Sequence, residues 1–452
     1  MNTVTTSALY QKIISNPLKI NWLDIFKGAL KKHDEKDSDY AMIAGTSLDT
    51  VTTEIGMLQK WQNPWMFLKV LRTGLLVSLI SLGAVLALIM LFDISQYPAL
   101  NILFIVIPPC VMPITLMVFF WEMNVPRDIS IMKMIGYFFT GGVLSLLITT
   151  LLLAFIPGGG VLAPLVEEPA KLLASIYFLN KIYPKKGKVY GFTGLAIGAA
   201  VGAGFAAFES IQYAFNQLPT IMVEDVIPAQ IMIFTFEGLI PVFVNVVLRF
   251  VCAICGHVLY CAPYSCIVAL NMEKSGDAKA ALKDKCFVIV FAISFVMHMI
   301  WNISVGGLIG LLVKLVIVTA ILWGTTLFGV RRSFAQLAGK IQISTGGSQN
   351  LVMHRIQGTK GVHAGIAFSI KKAEIQVGTD PNCQLTYPVN VAGIEKIHCK
   401  LLLQNGGLYL ADLGTQDGTY LNNMKLKPMT GYLLKSGDRF ALGTSGQEFI
   451  VL

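Results

Sequence analysis

Apolar residues are concentrated in the middle of the chain, in long runs separated by short polar connections. Each run is close to the ~20 residues that one bilayer crossing requires, so we expect about eight transmembrane helices. Their predicted bounds are 71–94, 101–123, 134–156, 159–180, 190–214, 248–271, 286–305 and 308–329. The pattern predicts a polytopic α-helical membrane domain over residues 71–330, preceded by a polar segment of residues 1–70 and followed by a second domain.

The composition agrees with a membrane protein. Hydrophobic residues make up 54% of the chain and charged residues only 13%, whereas soluble domains carry about a quarter charged residues. The net charge of +9 does not indicate a nucleic-acid partner, because Lys and Arg lie mainly in the connections between apolar runs. The cysteines form no disulfide framework, and several fall inside one apolar run.

The basic residues alternate along the connections. The segment before the first span is rich in Lys, the connection near residue 95 has none, and Arg127 and Lys133 follow the second span. This alternation continues to Arg331 and Arg332 after the last span. Since positive charge marks the cytoplasmic side, we predict a multi-pass protein of the cell (plasma) membrane with both termini cytoplasmic.

One apolar segment does not fit a simple span. Residues 227–247 contain Pro228, Glu237 and Pro241 and precede the sixth predicted span without a basic loop. We expect an interfacial or re-entrant helix here, because irregular backbone at membrane depth must line a cavity or lie at the interface.

Ionisable residues are costly inside a bilayer, yet they are concentrated on four consecutive predicted helices. We take as candidate catalytic residues Glu167, Glu168, Lys171, Glu209, His257, His298 and Asn302. A carboxylate in a low-dielectric cavity can act as a general base on water, and an imidazole and an amide on one helix face can donate to an oxyanion. This set is sufficient to hydrolyse a peptide bond without a covalent intermediate.

These residues stand in ordered motifs. Glu167-Glu-Pro-Ala-Lys171, Phe205-Ala-Ala-Phe-Glu209, the stretch from Arg249 to His257, and His298-Met-Ile-Trp-Asn302 resemble the motifs of the PrsW family of intramembrane proteases. The resemblance covers about residues 130–330. It implies a membrane-embedded, glutamate-dependent peptidase that cleaves a membrane-anchored protein, such as an anti-sigma factor at site 1.

The resemblance also implies roles for the residues. Glu167 would be the base, held by Glu168 and Lys171, and Glu209 and His257 would position the water. The oxyanion hole would come from the last two candidates, His298 and Asn302.

Two questions stay open at this stage. We favour a reaction without a cofactor, but zinc is an alternative, with Glu167, Glu209, His257 and His298 as ligands. The alternatives to a protease are an ion or proton-coupled transporter or channel that uses the buried Glu and His residues, and a catalytically inactive membrane scaffold.

The composition changes after Arg331. Residues 331–351 are predicted to form a linker, and residues 352–452 show short alternating strands with turn residues between them, which is typical of an all-β sandwich. The segments 375–385, 394–398, 412–423 and 437–439 resemble the forkhead-associated (FHA) domain. That resemblance implies a cytoplasmic module that docks a protein partner.

The FHA-like segment departs from the phosphothreonine-binding pattern. Thr379 stands where such domains have Arg, and Glu395 stands where they have Ser. The guanidinium that binds phosphate is therefore missing, and a carboxylate takes the place of a hydroxyl. We predict a cytoplasmic partner whose binding does not depend on phosphothreonine, with His398 stabilising the loops.

Overall fold

The computed structural model describes the chain in the ranges 6–49, 56–58, 61–92, 98–156, 159–186, 189–216, 220–221, 231–232, 236–304, 306–344, 355–370, 374–404, 407–443 and 446–452. The chain divides into two compact units, Met1–Ala338 and Gly339–Leu452. The first is helical and the second is built of strands, as the apolar pattern predicts.

The described residues give the bounds of thirteen α-helices in the helical unit. Their bounds are α1 Thr6–Ser15, α2 Trp22–Phe26, α3 Glu35–Met42, α4 Met66–Phe92, α5 Pro98–Glu122, α6 Ile131–Leu153, α7 Pro164–Lys186, α8 Gly191–Asn216, α9 Phe236–Cys252, α10 His257–Ser275, α11 Ala278–Ala281, α12 Lys285–Asn302 and α13 Gly307–Ser344. A short antiparallel pair, β1 Thr220–Ile221 and β2 Ile231–Met232, lies between α8 and α9.

Seven stretches of the described chain are long and apolar enough to cross a membrane. Helix α7 is a further helix of 23 residues, but it carries the charged residues of the first motif and is not among the seven. Together they agree with the expectation of about eight transmembrane helices. Glu167, Glu168 and Lys171 are buried within the unit, so the helix needs no lipid-compatible surface at those positions.

The sixth predicted span is broken. Helix α9 ends at Cys252, residues Ala253–Cys255 form a short 3-10 helix, and Gly256 is extended before α10 begins at His257. We expected one helix over 248–271. Apolar residues flank the break on both sides, so hydropathy alone gives no sign of it. Residues 236–247, where we expected an interfacial or re-entrant helix, belong to α9; part of that segment lies outside the described residues.

Three glycines on α8 allow it to approach α10 closely. Gly194, Gly198 and Gly202 recur every four residues, and a Cβ added to each would lie 2.3–2.8 Å from a backbone carbonyl oxygen of α10. Small residues at this spacing let two membrane helices approach with their backbones nearly in contact. The close approach brings the middle of α8, at Gly202, next to the first turn of α10.

The N-terminal segment packs onto the helical bundle. The ring of Trp22 contacts that of Trp323 on α13 at 5.0 Å, and Arg331 donates to the carbonyl of Ile20. The Glu122 carboxylate accepts from three backbone N–H groups where α4 begins. Helix α13 continues to Ser344, so the first part of the expected linker is helical.

The second unit consists of two packed sheets. Its strands are β3 Arg355–Lys360, β4 Ala367–Ser369, β5 Glu374–Gly378, β6 Leu385–Thr386, β7 Cys399–Gln404, β8 Gly407–Asp412, β9 Thr419–Leu421, β10 Met424–Lys425, β11 Tyr432–Leu434, β12 Arg439–Leu442 and β13 Gln447–Val451. The strand orders are β10-β9-β12-β13-β3-β4 and β11-β8-β7-β5-β6. Alternate residues of these strands form one apolar core between the sheets.

Candidate functional site

The ionisable residues of the helical unit gather around one cavity. It has a volume of about 420 Å³, and its walls come from α7, α8, α9, α10, α12 and α13. Glu167, Glu209, His257, His298 and Asn302 all line it. Glu168 and Lys171 are fully buried behind this surface. The structure therefore brings the seven predicted site residues together from four helices.

Glu167 lies in the first turn of α7. Its Oε2 atom is buried and has no hydrogen-bond partner among the described residues. It lies 3.9 Å from Nδ1 of His257 and 3.7 Å from Nε2 of His298. A buried polar atom that makes no hydrogen bond is uncommon and marks a position where a ligand or water belongs.

His257 is the first residue of α10. Its Nε2 atom lies 3.0 Å from Oε2 of Glu209, and the same carboxylate oxygen accepts from Arg249 at 3.1 Å. Because Glu209 engages Nε2, the other ring nitrogen of His257 faces Glu167. Glu209 thus orients the imidazole and is separated from Glu167 by the ring.

His298 is held in the same way. Its Nδ1 atom lies 2.7 Å from Oε1 of Glu168, and its ring stacks on Tyr260 at 4.5 Å between centroids. The second oxygen of Glu168 accepts from the hydroxyl of Tyr264 at 3.2 Å. Each of the two histidines therefore has one nitrogen on a carboxylate and one nitrogen directed at Glu167.

The motif resemblance implies that Lys171 holds Glu167, but the closer ion pair of Lys171 is with Glu168. Its Nζ lies 2.6 Å from Oε1 of Glu168 and 3.8 Å from Oε2 of Glu167. The spacing i to i+3 places side chains side by side on a helix as well as i to i+4 does, and here the shorter spacing gives the closer contact. Nζ also lies 2.9 Å from Nδ1 of His257.

Asn302 lies at the rim of the cavity. Its amide donates to the carbonyl of Gly160 at 3.0 Å, so this amide joins the end of α12 to the segment before α7. Lys314 of α13 binds the carbonyls of Trp301 and Ile303 at 2.9 and 2.6 Å and so caps the C-terminus of α12. The oxyanion role expected for Asn302 stays a prediction.

Sequence reasoning missed Tyr260, Tyr264 and Lys314. The two tyrosines follow His257 by three and seven residues, which places all three side chains on one face of α10. That spacing could have identified them. Lys314 gives no such signal, because its contact with the end of α12 depends on how two helices meet.

The donor atoms fit a metal ion. One oxygen of Glu167 and one nitrogen each of His257 and His298 lie within 4.8 Å of one another. Two imidazoles and a carboxylate form a common zinc ligand set, and ligating histidines usually donate their other N–H to a carboxylate. Glu209 and Glu168 occupy those supporting positions. Of the four zinc ligands considered from the sequence, three form the cluster.

The loops of the strand unit place Thr379, Glu395 and His398 next to one another. The N–H of Thr379 donates to the carbonyl of Glu395 at 3.0 Å, and the Glu395 carboxylate accepts from the N–H of Gln416 at 2.7 Å. His398 Nδ1 accepts from the N–H of Glu395, and its Nε2 lies 3.2 Å from the carbonyl of Gly418. The expectation that His398 stabilises the loops is confirmed.

Burial lowers the pKa of His398 below its ordinary value. A neutral ring suits its contacts, because Nδ1 accepts while Nε2–H donates. The pKa of Asp412 nearby is lowered from its ordinary value. Burial acts to raise this pKa, but hydrogen bonds from the hydroxyls of Thr415 and Thr419 and from backbone N–H groups stabilise the carboxylate and outweigh the effect of burial. Through these hydrogen bonds, His398 and Asp412 hold the loops that contain Glu395, Thr415 and Gly418.

Comparison with known proteins assigns both units. Residues 114–326 match the family model described as PrsW family intramembrane metalloprotease, and residues 375–443 match that of the FHA domain. Protein FraH of Nostoc sp. is 33% identical over 69 residues, which is 14% of this chain and 24% of the length of that curated relative.

Solved FHA domains resemble part of this chain. The FHA domain of an Arabidopsis thaliana hypothetical protein is 30% identical and covers 24% of this chain and 91% of that one, with a TM-score of 0.21. The N-terminal FHA domain of S. cerevisiae Rad53p, solved with a phosphothreonine peptide, is 21% identical and covers 22% and 93%, with a TM-score of 0.20. On the two family matches, residues 114–326 form a PrsW-family protease domain and residues 375–443 form an FHA domain.

Proposed function

We propose that the cavity is the hydrolytic centre of an intramembrane peptidase that cleaves membrane-anchored proteins. The observation that carries this proposal is the buried Oε2 of Glu167, which has no hydrogen-bond partner among the described residues and faces a nitrogen of both His257 and His298. The PrsW match supports the reaction class.

The donor set supports zinc as the cofactor, with Glu167, His257 and His298 as the residues that would hold it. When bound there, zinc would lower the pKa of a water molecule and polarise the scissile carbonyl. Glu209 and Glu168 orient the two imidazoles and fix which nitrogen faces Glu167.

A reaction without a metal is the second candidate. Glu167 would then take a proton from water, in the role that the sequence motifs imply. Its buried Oε2, which has no hydrogen-bond partner among the described residues, is the atom that would accept this proton. The two mechanisms share Glu167 and differ in their response to chelators.

The position of the site supports an extracytoplasmic cut. Glu167 lies near the start of α7, His257 starts α10, and Asn302 ends α12. Glu209 lies about 27 Å along α8 from Gly191. We propose that the basic connections are cytoplasmic, so that Gly191 and Lys285 would lie on that side and the site in the outer half of the bilayer. The FHA domain would then dock a cytoplasmic protein partner.

The test compares cleavage products in cells. Wild type, Glu167→Gln and Glu35→Gln would each be co-expressed with tagged membrane-anchored proteins, and new termini would be identified by mass spectrometry. Glu35 is exposed on α3 and serves as the matched control. We expect wild type and Glu35→Gln to produce the same new termini and Glu167→Gln to produce none. Full cleavage by Glu167→Gln would refute the proposal.

A further inference from the structure

The ammonium of Lys171 contacts the same histidine nitrogen that faces Glu167. Nζ lies 2.9 Å from Nδ1 of His257, while that nitrogen lies 3.9 Å from Oε2 of Glu167. The opposite nitrogen, Nε2, is engaged by Glu209 at 3.0 Å. Nδ1 therefore carries a single lone pair. That lone pair can accept a hydrogen bond from an N–H donor or bind a metal ion, but not both at once.

The geometry of the cluster suits a metal ion without a large rearrangement. Zinc with bonds of ~2.0–2.1 Å in a tetrahedral site holds its ligand atoms about 3.4 Å apart. Oε2 of Glu167 lies 3.7 Å from His298 Nε2 and 3.9 Å from His257 Nδ1. Shifts of a few tenths of an ångström would bring the carboxylate oxygen to that separation from each nitrogen, and all three atoms already lie within 4.8 Å of one another. Coordination would require the lone pair of Nδ1.

We infer that Lys171 and a divalent cation compete for Nδ1 of His257, so that Lys171 sets the metal affinity of the site. This inference rests on the zinc form of the proposed function. In one arrangement the ammonium donates to Nδ1. In the other it keeps its 2.6 Å contact with Glu168 and turns from Nδ1 towards the face of Phe205, whose ring centroid lies 4.6 Å from Nζ.

Electrostatics act in the same direction as the competition for the lone pair. Lys171 is fully buried, so little solvent screens its charge from a cation bound a few ångströms away. Its contact with Glu168 also withdraws negative charge from the carboxylate that supports His298. Removing the ammonium would therefore free Nδ1, remove a repulsive charge and strengthen that supporting carboxylate.

The test is a zinc titration of the purified full-length chain. Wild type, Lys171→Met and Lys171→Gln would be stripped with a chelator and titrated with Zn²⁺ against a chromogenic competitor. We expect both variants to bind zinc at least tenfold more tightly than wild type, which is about 1.4 kcal/mol. Lys181→Met removes a lysine from the same helix, outside the cavity lining, and should leave the dissociation constant unchanged.

The outcomes separate competition from structural support. If Lys171 only held the site together, its removal would weaken zinc binding, so weaker or unchanged binding in both monodisperse variants would overturn the inference. Failure of every variant and of wild type to bind zinc would overturn it as well, while leaving the metal-free peptidase intact. Failure of wild type to cleave any co-expressed protein would instead count against the proposed function.

Discussion

Nδ1 of His298 lies 2.7 Å from Oε1 of Glu168, which leaves Nε2 of the same ring facing Glu167. Carboxylates in this supporting position typically contribute 10–100-fold to metal affinity or activity. We predict that Glu168→Gln weakens zinc binding by about that factor, since an amide oxygen accepts more weakly than a carboxylate. The zinc titration measures this, with Glu35→Gln as control. Unchanged affinity would show that Glu168 only pairs with Lys171.

The packing of α8 against α10 sets the position of His257. A Cβ on Gly202 would lie 2.4 Å from the carbonyl oxygen of His257, so Gly202→Ala must displace the first turn of α10. Such overpacking costs roughly 1–3 kcal/mol, and we predict at least a tenfold loss of cleavage rate. Gly324→Ala is the matched control, because no atom lies within 4 Å of its added Cβ. Equal rates for both variants would contradict this account of how His257 is positioned.

The FHA domain should not bind phosphothreonine. Thr379 provides no guanidinium, and the Glu395 carboxylate, held by the N–H of Gln416, would repel a phosphate. Each charge-assisted bond contributes roughly 1.5–3 kcal/mol, so losing one weakens binding by about tenfold or more. We predict no measurable binding of a phosphothreonine peptide library by calorimetry, and a gain of binding in Thr379→Arg/Glu395→Ser. Micromolar, phosphate-dependent binding by wild type would show that another residue supplies the missing contact.

His398 should make the stability of the FHA domain depend on pH. Because burial lowers its folded pKa below the 6.5 of an unfolded histidine, its contribution is complete above pH 6.5. It falls as the pH drops from 6.5 to the folded value, by at most about 1.4 kcal/mol per pH unit. Urea unfolding of residues 352–452 at pH 7.5 and 5.5 measures this. We expect His398→Gln to reduce the pH dependence, and an unchanged dependence would exclude His398 as its source.

Hydropathy and the cost of burying charge predicted much of this architecture. Long apolar runs predict the membrane helices. The few ionisable residues within those runs predict a shared site, and Glu167, Glu209, His257 and His298 do line one cavity. The break before His257 could not be predicted, because apolar residues continue on both sides of Gly256. Sequence also does not show which nitrogen of each histidine faces Glu167. That depends on tertiary contacts, because Glu209 engages Nε2 of His257 and Glu168 engages Nδ1 of His298.

Part of the site follows from helix packing. The glycines at 194, 198 and 202 are visible as a four-residue repeat, but their partner helix is not. Likewise, the motif containing Asn302 predicts a functional amide. Its hydrogen bond to the carbonyl of Gly160 could not be predicted, because that bond depends on the end of α12 meeting the segment before α7. The preference of Lys171 for Glu168 over Glu167 is a matter of side-chain geometry within one helix turn.

The most direct test of the peptidase site is the cleavage rate of a membrane-anchored substrate, taken from the co-expression screen, by the purified chain in proteoliposomes. We expect wild type to cleave the substrate, to lose activity in a zinc chelator and to recover when zinc is added. We expect the rate of Glu167→Gln to be at least a hundredfold lower under all conditions. Activity that resists chelators but still requires Glu167 would establish the metal-free mechanism. Equal rates for wild type and Glu167→Gln would contradict the proposal that the hydrolysis requires this carboxylate, which lies between His257 and His298.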